Sequence, residues 1–200
     1  DTYIDNLDLE LSVTLFKTEQ KNSILNNART AWVQTNATGV NTSEGIELNG
    51  SWRPVNKKIS LNFGYTFTDS YDAASCDPDE KAAYADNECR EIGSKVQSAK
   101  VRVPRHALQS KINYNISPNL KSSLKGKYVG EARDFGNANN DYTDVILTDY
   151  FVFDLETSYQ LFNSYKAVIS IGNILDEEYE QAHQYSSMGR TFNIGISRIY

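Results

Sequence analysis

The sequence predicts an all-β fold, an antiparallel up-and-down transmembrane β-barrel, on three observations. Apolar and polar residues alternate with period two in segments of about ten residues, the spacing that sends successive side chains of a strand to opposite faces. The connections between these segments alternate between short and long. The apolar share is only 40 % even with tyrosine included. Exchanging 13 Tyr for 11 Gly, which gives the set in which about 45–50 % is usual, lowers it further. Yet 13 Tyr, 8 Phe and 2 Trp are too many aromatics for a disordered acidic chain. The chain is ordered but has little material for a conventional core, as expected if only one face of each strand is apolar.

Taken in order, Leu7, Leu9, Leu11, Val13 and Leu15 alternate with Asp8, Glu10, Ser12 and Thr14. A weaker strand is expected around Ser23 to Gln34. Ile46, Leu48 and Trp52 alternate with Glu47, Asn49, Ser51 and Arg53. The cleanest strand sets Ile59, Leu61, Phe63, Tyr65 and Phe67 against Ser60, Asn62, Gly64, Thr66 and Thr68. Leu108, Ile112, Tyr114 and Ile116 follow, then Leu120, Leu124 and Tyr128 opposite Lys121, Ser123, Lys125 and Lys127. Phe151, Phe153, Leu155, Tyr159 and Leu161 form the next apolar face, with Val152 the one apolar residue on the polar side. Strands over Ala167–Leu175 and Arg190–Tyr200 complete a count of about nine. Only Asp79–Arg90, inside a loop, suggests a helical turn.

Four connections read as short: Thr18–Lys21, Pro54–Lys57, Ser117–Asn119 and Phe162–Ser164. The intervening ones, Thr35–Thr42, Ser70–Val103, Arg133–Leu147 and Asp176–Gly189, are mostly long. In a meander every second connection lies at the same rim, so long loops gather at one end and tight turns at the other, as in outer-membrane barrels. Ten residues rising about 3.3 Å each and tilted about 45° span about 23 Å, close to the apolar band of such barrels. Tyr65, Phe67, Tyr128, Tyr150 and Tyr159, near strand ends, suit interfacial aromatic girdles. Nine is odd, whereas bacterial single-chain barrels have even strand counts. With a chain opening at Asp1 rather than Met, this leads to the expectation of further strands on the amino side.

Composition excludes several functions. A net charge of -6 and a pI near 5.0 oppose nucleic-acid binding, which needs a basic face. No apolar run approaches the roughly 18–20 residues of a membrane-spanning helix, and no secretory signal opens the chain. The absence of a phosphate loop, nucleophile elbow or zinc motif leaves no positive support for an enzyme. No cofactor or metal site is expected. The acidic run Asp176, Glu177, Glu178 and Glu180 lacks EF-hand spacing and reads as a solvated loop. His106 and His183 are the only histidines and read as rim residues. Lys121, Lys125 and Lys127 read as a hydrated wall.

Cys76 and Cys89 share the longest loop. A disulfide between them would close about 14 residues and restrict the unfolded chain by up to about 3 kcal/mol; two free thiols are the alternative. The carboxy-terminal strand is the most specific local feature. Phe192, Ile194 and Ile196 share a face with terminal Tyr200, a pattern that resembles the signal read by outer-membrane barrel-assembly machinery. Arg198 departs from it, since that position is usually apolar or aromatic.

A family resemblance runs along nearly the whole chain. Gly45-Ile46-Glu47, then Leu61-Asn62-Phe63-Gly64-Tyr65-Thr66-Phe67-Thr68-Asp69, then Arg102-Val103-Pro104-Arg105-His106 stand in the order seen in TonB-dependent outer-membrane receptors. Tyr128-Val129-Gly130 with Arg133, Phe153-Asp154-Leu155, Gly172-Asn173-Ile174-Leu175-Asp176 with Tyr179-Glu180, and Gly189-Arg190 continue it. Each piece is weak alone; the ordered set is specific.

The resemblance implies that residues 1–200 are the carboxy-terminal nine strands of a 22-stranded barrel, the plug domain and earlier strands lying outside them. It implies an outer-membrane receptor for a scarce nutrient such as a ferric siderophore, haem or cobalamin. The ligand would bind in the extracellular loops, and import would be energised by the TonB complex acting through the plug. Tyr71, Tyr84, Phe135, Tyr142 and Tyr185 offer aromatic faces in those loops, and Arg133 a fork for acidic ligands. The rival readings are a passive porin-like barrel and a soluble all-β binding module.

Overall fold

The computed structural model describes residues 2–4, 8–21, 24–27, 33–36, 40–54, 58–73, 90–92, 95–138, 141–162 and 164–198. In these, seventeen strands follow in order, with no helix: β1 Thr2–Ile4, β2 Leu9–Lys21, β3 Ile24–Asn27, β4 Val33–Asn36, β5 Val40–Trp52, β6 Ile59–Ala73, β7 Arg90–Ile92, β8 Lys95–Ala99, β9 His106–Asn115, β10 Leu120–Val129, β11 Ala132–Ala138, β12 Asp141–Leu147, β13 Tyr150–Gln160, β14 Tyr165–Gly172, β15 Glu180–Ala182, β16 Tyr185–Ser186 and β17 Thr191–Arg198.

Eleven of them make one sheet. Nine form an antiparallel meander, β1-β2-β5-β6-β9-β10-β13-β14-β17, and β8 extends the top of β6 with β7 beside it. The expected count of nine therefore holds along the meander, with one change of membership. The segment around Ser23–Gln34 is not a wall strand: its described parts, β3 and β4, pair only with each other. β2 instead continues through Thr18–Lys21 and pairs up to Lys21 with Val40, so the expected short turn there is strand. The polar residues of this stretch, Lys17, Glu19 and Lys21, extend the ladder above the apolar part of β2, where hydropathy no longer marks it. β1 takes the ninth place. Likewise the loop expected over Arg133–Leu147 is a hairpin, β11 on β12. With these corrections short and long connections alternate without exception along the meander.

Register explains why the alternation is so regular. One row of cross-strand neighbours runs Leu9–Trp52–Leu61–Ile112–Leu124–Leu155–Ile171–Phe192 across eight strands. Shifted by one residue, the next row runs Glu10–Ser51–Asn62–Lys111–Lys125–Asp154. A one-residue slip would exchange the two faces of a strand, so each strand's pattern fixes its neighbours'. Val152 pairs with Lys127 on the polar face.

The apolar face has no second layer over it among the described residues. Val13 is 62 % exposed, Leu15 75 % and Ile194 81 %, while the few buried apolar residues, Val40, Tyr71, Ala132, Leu147 and Tyr150, cluster toward the long-loop rim. A continuous apolar band of this kind is not tolerated by a soluble sheet and is the outer surface of a membrane barrel. Two glycines on this face sit under aromatic rings, Gly50 beneath Phe63 and Gly126 beneath Phe153, each ring reaching from the directly paired position.

Gly45 permits a closer approach. A Cβ there would overlap the Phe67 carbonyl oxygen and meet Phe16 Cζ at 2.6 Å. Gly195, by contrast, has nothing within 4 Å. Gly45→Ala is accordingly expected to destabilise the folded protein by roughly 1–3 kcal/mol through overpacking, and Gly195→Ala to be neutral. Thermal unfolding in detergent, followed by loss of β-sheet circular dichroism, measures both; equal midpoints for the two variants would show that β5 and β6 do not pack this closely.

Candidate functional site

The long-loop rim gathers the charged and aromatic residues whose geometry suits ligand capture. β6 runs past the apolar band to carry Asp69, Tyr71 and Asp72, and β8 pairs with this extension, Tyr71 opposite Ala99. Arg105, just before β9, turns back to it: its Nη2 donates to Asp69 Oδ1 at 3.1 Å and to the Tyr71 hydroxyl at 2.9 Å. The Tyr71 oxygen therefore holds the Arg105 guanidinium against β6. Lys100 lies 3.7 Å from Asp72. Arg133, at the start of β11, donates through Nη1 to the Ala99 carbonyl at 3.0 Å, and its own carbonyl accepts from Arg102 N at 2.7 Å.

These residues line a notch of about 190 Å³ whose walls include Tyr71, Lys100, Arg105, Glu131 and Arg133. Ligand pockets for whole drug-sized molecules run to about 300–1,000 Å³, so the notch suits one arm of a larger molecule. Two guanidinium groups and an ammonium line it, the guanidinium groups with the planar array of N–H donors that anionic oxygens match. Asp69 and Asp72 keep part of that charge engaged, which pre-orders the long basic side chains.

Behind the notch one carboxylate ties three connections together. Asp134, on β11, is fully buried. Its Oδ1 accepts from Arg102 Nε at 2.9 Å and its Oδ2 from His183 N at 2.7 Å. Arg102 belongs to the connection before β9 and His183 to the β15–β16 turn. Arg102 has φ 59°, a left-handed conformation that costs a non-glycine residue energy and persists where its surroundings hold it.

The last long connection is fastened at its base as well. Asn173, φ 50° and buried, accepts from Glu177 N at 2.9 Å and donates to the Glu177 carbonyl at 2.9 Å. Its N–H reaches Asp154 Oδ1 at 2.9 Å. Asp176 Oδ1 accepts from Arg190 N at 2.6 Å. Tyr150 stacks on Tyr179 with centroids 4.1 Å apart. The run Asp176–Glu180 is therefore partly structural: Asp176 and Glu177 are turn partners, and no cluster able to hold a metal occurs among the described residues.

Of the residues singled out in the sequence, Tyr71 and Arg133 come together in the notch. Phe135 and Tyr142 take register positions opposite Asp144 and Asn137 in the β11–β12 hairpin. Tyr185 stands on β16, 74 % exposed, apart from the notch. Tyr84, Cys76, Cys89 and Tyr200 lie outside the described residues. Phe192, Ile194 and Ile196 follow the apolar row of β17, opposite Ile171, Ile169 and Ala167. Arg198 ends that row with its guanidinium 5.9 Å from the Tyr165 ring centroid, a cation–π arrangement that suits a basic residue to the membrane interface. His106 joins the rim girdle, its Nδ1 2.8 Å from the Tyr65 hydroxyl and its ring 5.3 Å from Phe67. Asp134, Arg105, Lys100 and Asn173 were not singled out as site residues. Their roles depend on tertiary contacts, those of Asp134 and Arg105 with residues 32 to 49 positions away.

Known proteins place this architecture. A family model described as TonB dependent receptor-like, beta-barrel, matches residues 3–174. No curated protein sequence matches the chain. Among solved structures, the ferric-catecholate import receptor Fiu of E. coli K12 in its closed form superposes with TM-score 0.70 at 17 % identity, covering 96 % of this chain and 25 % of that one. The FrpB iron transporter of Neisseria meningitidis gives 0.68 at 17 %, covering 97 % and 29 %. The ferripyoverdine receptor of Pseudomonas aeruginosa bound to ferripyoverdine gives 0.69 at 15 %, covering 95 % and 24 %. The chain thus spans about a quarter of the length of the receptors it matches. With eight consecutive strands sharing one apolar row and a family match over most of its length, this chain belongs to the TonB-dependent receptor-like β-barrels of the bacterial outer membrane.

Proposed function

We propose that the chain is a wall and outer rim of a receptor that imports a scarce iron complex, a ferric siderophore or a related oxygen-rich anionic chelate, with energy delivered by TonB. An odd meander brings its first and last strands parallel, so closure into an antiparallel barrel needs further strands. The carboxy-terminal part of a larger barrel, enclosing a plug, accounts for this and for the quarter-length coverage. The matched proteins are a ferric-catecholate import receptor, an iron transporter and a ferripyoverdine receptor. Phe192, Ile194, Ile196 and Tyr200 would serve as the signal for barrel assembly.

The observation that carries the ligand reading is the notch, where the guanidinium groups of Arg105 and Arg133 stand beside the Lys100 ammonium and the Tyr71 ring. A hexadentate ferric chelate displays anionic oxygens around its metal, and one face of it would meet these donors while its remainder lies in the open vestibule. Tyr185, on the neighbouring connection, offers an aromatic face to the same vestibule.

The full-length receptor, assayed for binding of ferric catecholate and ferric hydroxamate complexes by fluorescence quenching, tests this. Arg133→Ala is expected to weaken binding about tenfold to a hundredfold, the loss of one charge-assisted hydrogen bond at about 1.5–3 kcal/mol. Uptake of radiolabelled iron should stop in cells lacking TonB while surface binding persists. Undiminished uptake in those cells would turn the reading to a passive channel.

A further inference from the structure

At the short-turn rim the outward-facing rows of the sheet end in apolar or aromatic residues. Trp52 closes β5 opposite Leu9, Ile59 pairs with Tyr114 where β6 meets β9, and Tyr159 stands between Leu120 and Ala167. β17 departs from this. Its row runs Phe192, Ile194, Ile196 and then Arg198, which is exposed and paired in register with Tyr165 on β14. The guanidinium lies 5.9 Å from the Tyr165 ring centroid. A cation on the lipid face is costly at the bilayer midplane and tolerated near the interface, so the end of the row sets Arg198 at the depth of the headgroups.

The turn that leads into Tyr165 holds a second anomaly. Leu161 N donates to the Tyr165 carbonyl at 2.8 Å, closing the connection between β13 and β14. Within it Phe162 has φ 34°, a left-handed conformation that glycine adopts freely and a bulky residue rarely does. Gln160 Nε2 donates to the Phe162 carbonyl at 2.9 Å and holds the turn in this shape. The Phe162 side chain is 84 % exposed, so packing among the described residues does not offset the strain. A strained backbone that displays an uncovered aromatic ring points to a role outside the chain. The ring follows directly on the lipid-facing row Tyr159–Ala167–Ile196.

We propose that Arg198, Tyr165 and Phe162 form a headgroup site for an anionic glycerophospholipid of the leaflet at the short-turn rim. The inference rests on the membrane-barrel reading. The phosphodiester oxygens meet the guanidinium, whose fixed fork of N–H donors matches them. Tyr165 and Phe162 flank the headgroup at the depth where interfacial aromatics settle. A lipid occupant follows from continuity, because Arg198 ends the same row as Phe192, Ile194 and Ile196, which face the acyl chains. An anionic lipid follows from charge complementarity, since a basic residue at the bilayer surface favours anionic over zwitterionic headgroups. The turns of outer-membrane-type barrels lie on the periplasmic side, so the site selects lipid from the periplasmic leaflet.

Native mass spectrometry of the full-length protein in mild detergent, with equal amounts of phosphatidylglycerol and phosphatidylethanolamine added, tests the proposal. Adducts are counted on protein that keeps the boiling-dependent electrophoretic mobility of a folded barrel. Phosphatidylglycerol adducts are expected to exceed phosphatidylethanolamine adducts about fivefold, the preference that one cation at the bilayer surface supplies. Arg198→Gln should abolish the preference and Arg198→Lys retain most of it. Lys166→Gln removes an equal charge beside Tyr165 but on the polar face, opposite Ser197, and should leave the preference intact. Phe162→Gly, which relieves the strained turn, should lower retention of both lipids and leave their ratio unchanged. An equal fall in Lys166→Gln, or no preference in the unaltered protein, would overturn the site alone. Displacement of the lipid by millimolar glycerol phosphate would overturn it in favour of a free-phosphate site. Slower assembly of Arg198→Gln in cells with an unchanged lipid ratio would overturn it in favour of contact with the assembly machinery. Loss of the mobility shift in the unaltered protein would overturn the barrel reading and the proposal with it.

Discussion

Leu124→Arg is expected to be among the most damaging single substitutions in this chain, and Lys125→Arg, one residue away, among the mildest. Leu124 lies in the middle of the apolar row, flanked by Ile112 and Leu155. An arginine at the bilayer midplane of a barrel's lipid face costs about 2–4 kcal/mol, comparable to much of the net stability of a folded protein. Position 125 faces the lumen between Lys111 and Asp154 and is exposed, so an arginine there keeps the existing charge, its carboxylate neighbour and its hydration. Refolding the full-length protein into phosphatidylcholine vesicles, with the folded fraction read by the gel shift on boiling, separates the two. A tryptophan placed at 124 should in addition be quenched by brominated acyl chains, and one at 125 should not. Absence of quenching at position 124 would mean that the apolar face does not meet lipid, and the soluble all-β module would then account for the sheet.

The same period-two argument shows why so much of the wall was legible in the sequence and so little of the rim. Inside the band each strand is a binary code with one physical cause, lipid on one side and water on the other, and neighbouring rows must agree because register couples them. The strands from Ile46–Trp52 and Ile59–Phe67 through Phe151–Leu161 could be drawn residue by residue for this reason. Above the band both faces meet water and the code stops. Lys17, Glu19 and Lys21 continue β2 with no hydropathic signal, so a turn was expected where the ladder goes on. The Arg133–Leu147 hairpin carries no sustained apolar–polar alternation in its sequence and read as a loop. Ser23–Gln34 shows the converse: its apolar residues suggested a wall strand, yet its described parts pair only with one another.

The site divides along the same line. Arg133 and Tyr71 could be proposed from residue type and loop position, because a guanidinium and a phenol bind anions wherever they are displayed. Asp134 could not. Nothing in the sequence distinguishes it from the other loop carboxylates; its role comes from burial and from partners on two other connections. Arg102, its partner 32 residues away, stood in the run that carried the family resemblance, but its left-handed backbone and its engagement with β11 belong to the tertiary structure.

Asp134→Ala is expected to release three rim connections at once. The substitution leaves the His183 N–H and the Arg102 guanidinium without the acceptor they share. Arg102 is half exposed and can turn to water, so the larger part of the loss falls on the buried amide, about 1–3 kcal/mol. That corresponds to roughly a five- to hundredfold faster opening. Hydrogen exchange of the full-length protein should therefore accelerate by this factor over residues 99–105 and 180–186, with the strands below Leu108 and Phe153 unchanged. Ligand affinity should fall with it, because Arg133 sits beside Asp134 and its carbonyl holds Arg102 N at 2.7 Å; a freed Arg102 loop leaves one wall of the notch unsupported. Asp134→Asn separates the contributions, since the amide oxygen can still accept from one partner while the charge that holds Arg102 is gone. Exchange should then rise over 99–105 and remain slow over 180–186. Acceleration of all strands together in Asp134→Ala would assign the carboxylate to global stability, and unchanged exchange at both segments would mean that the three connections move independently.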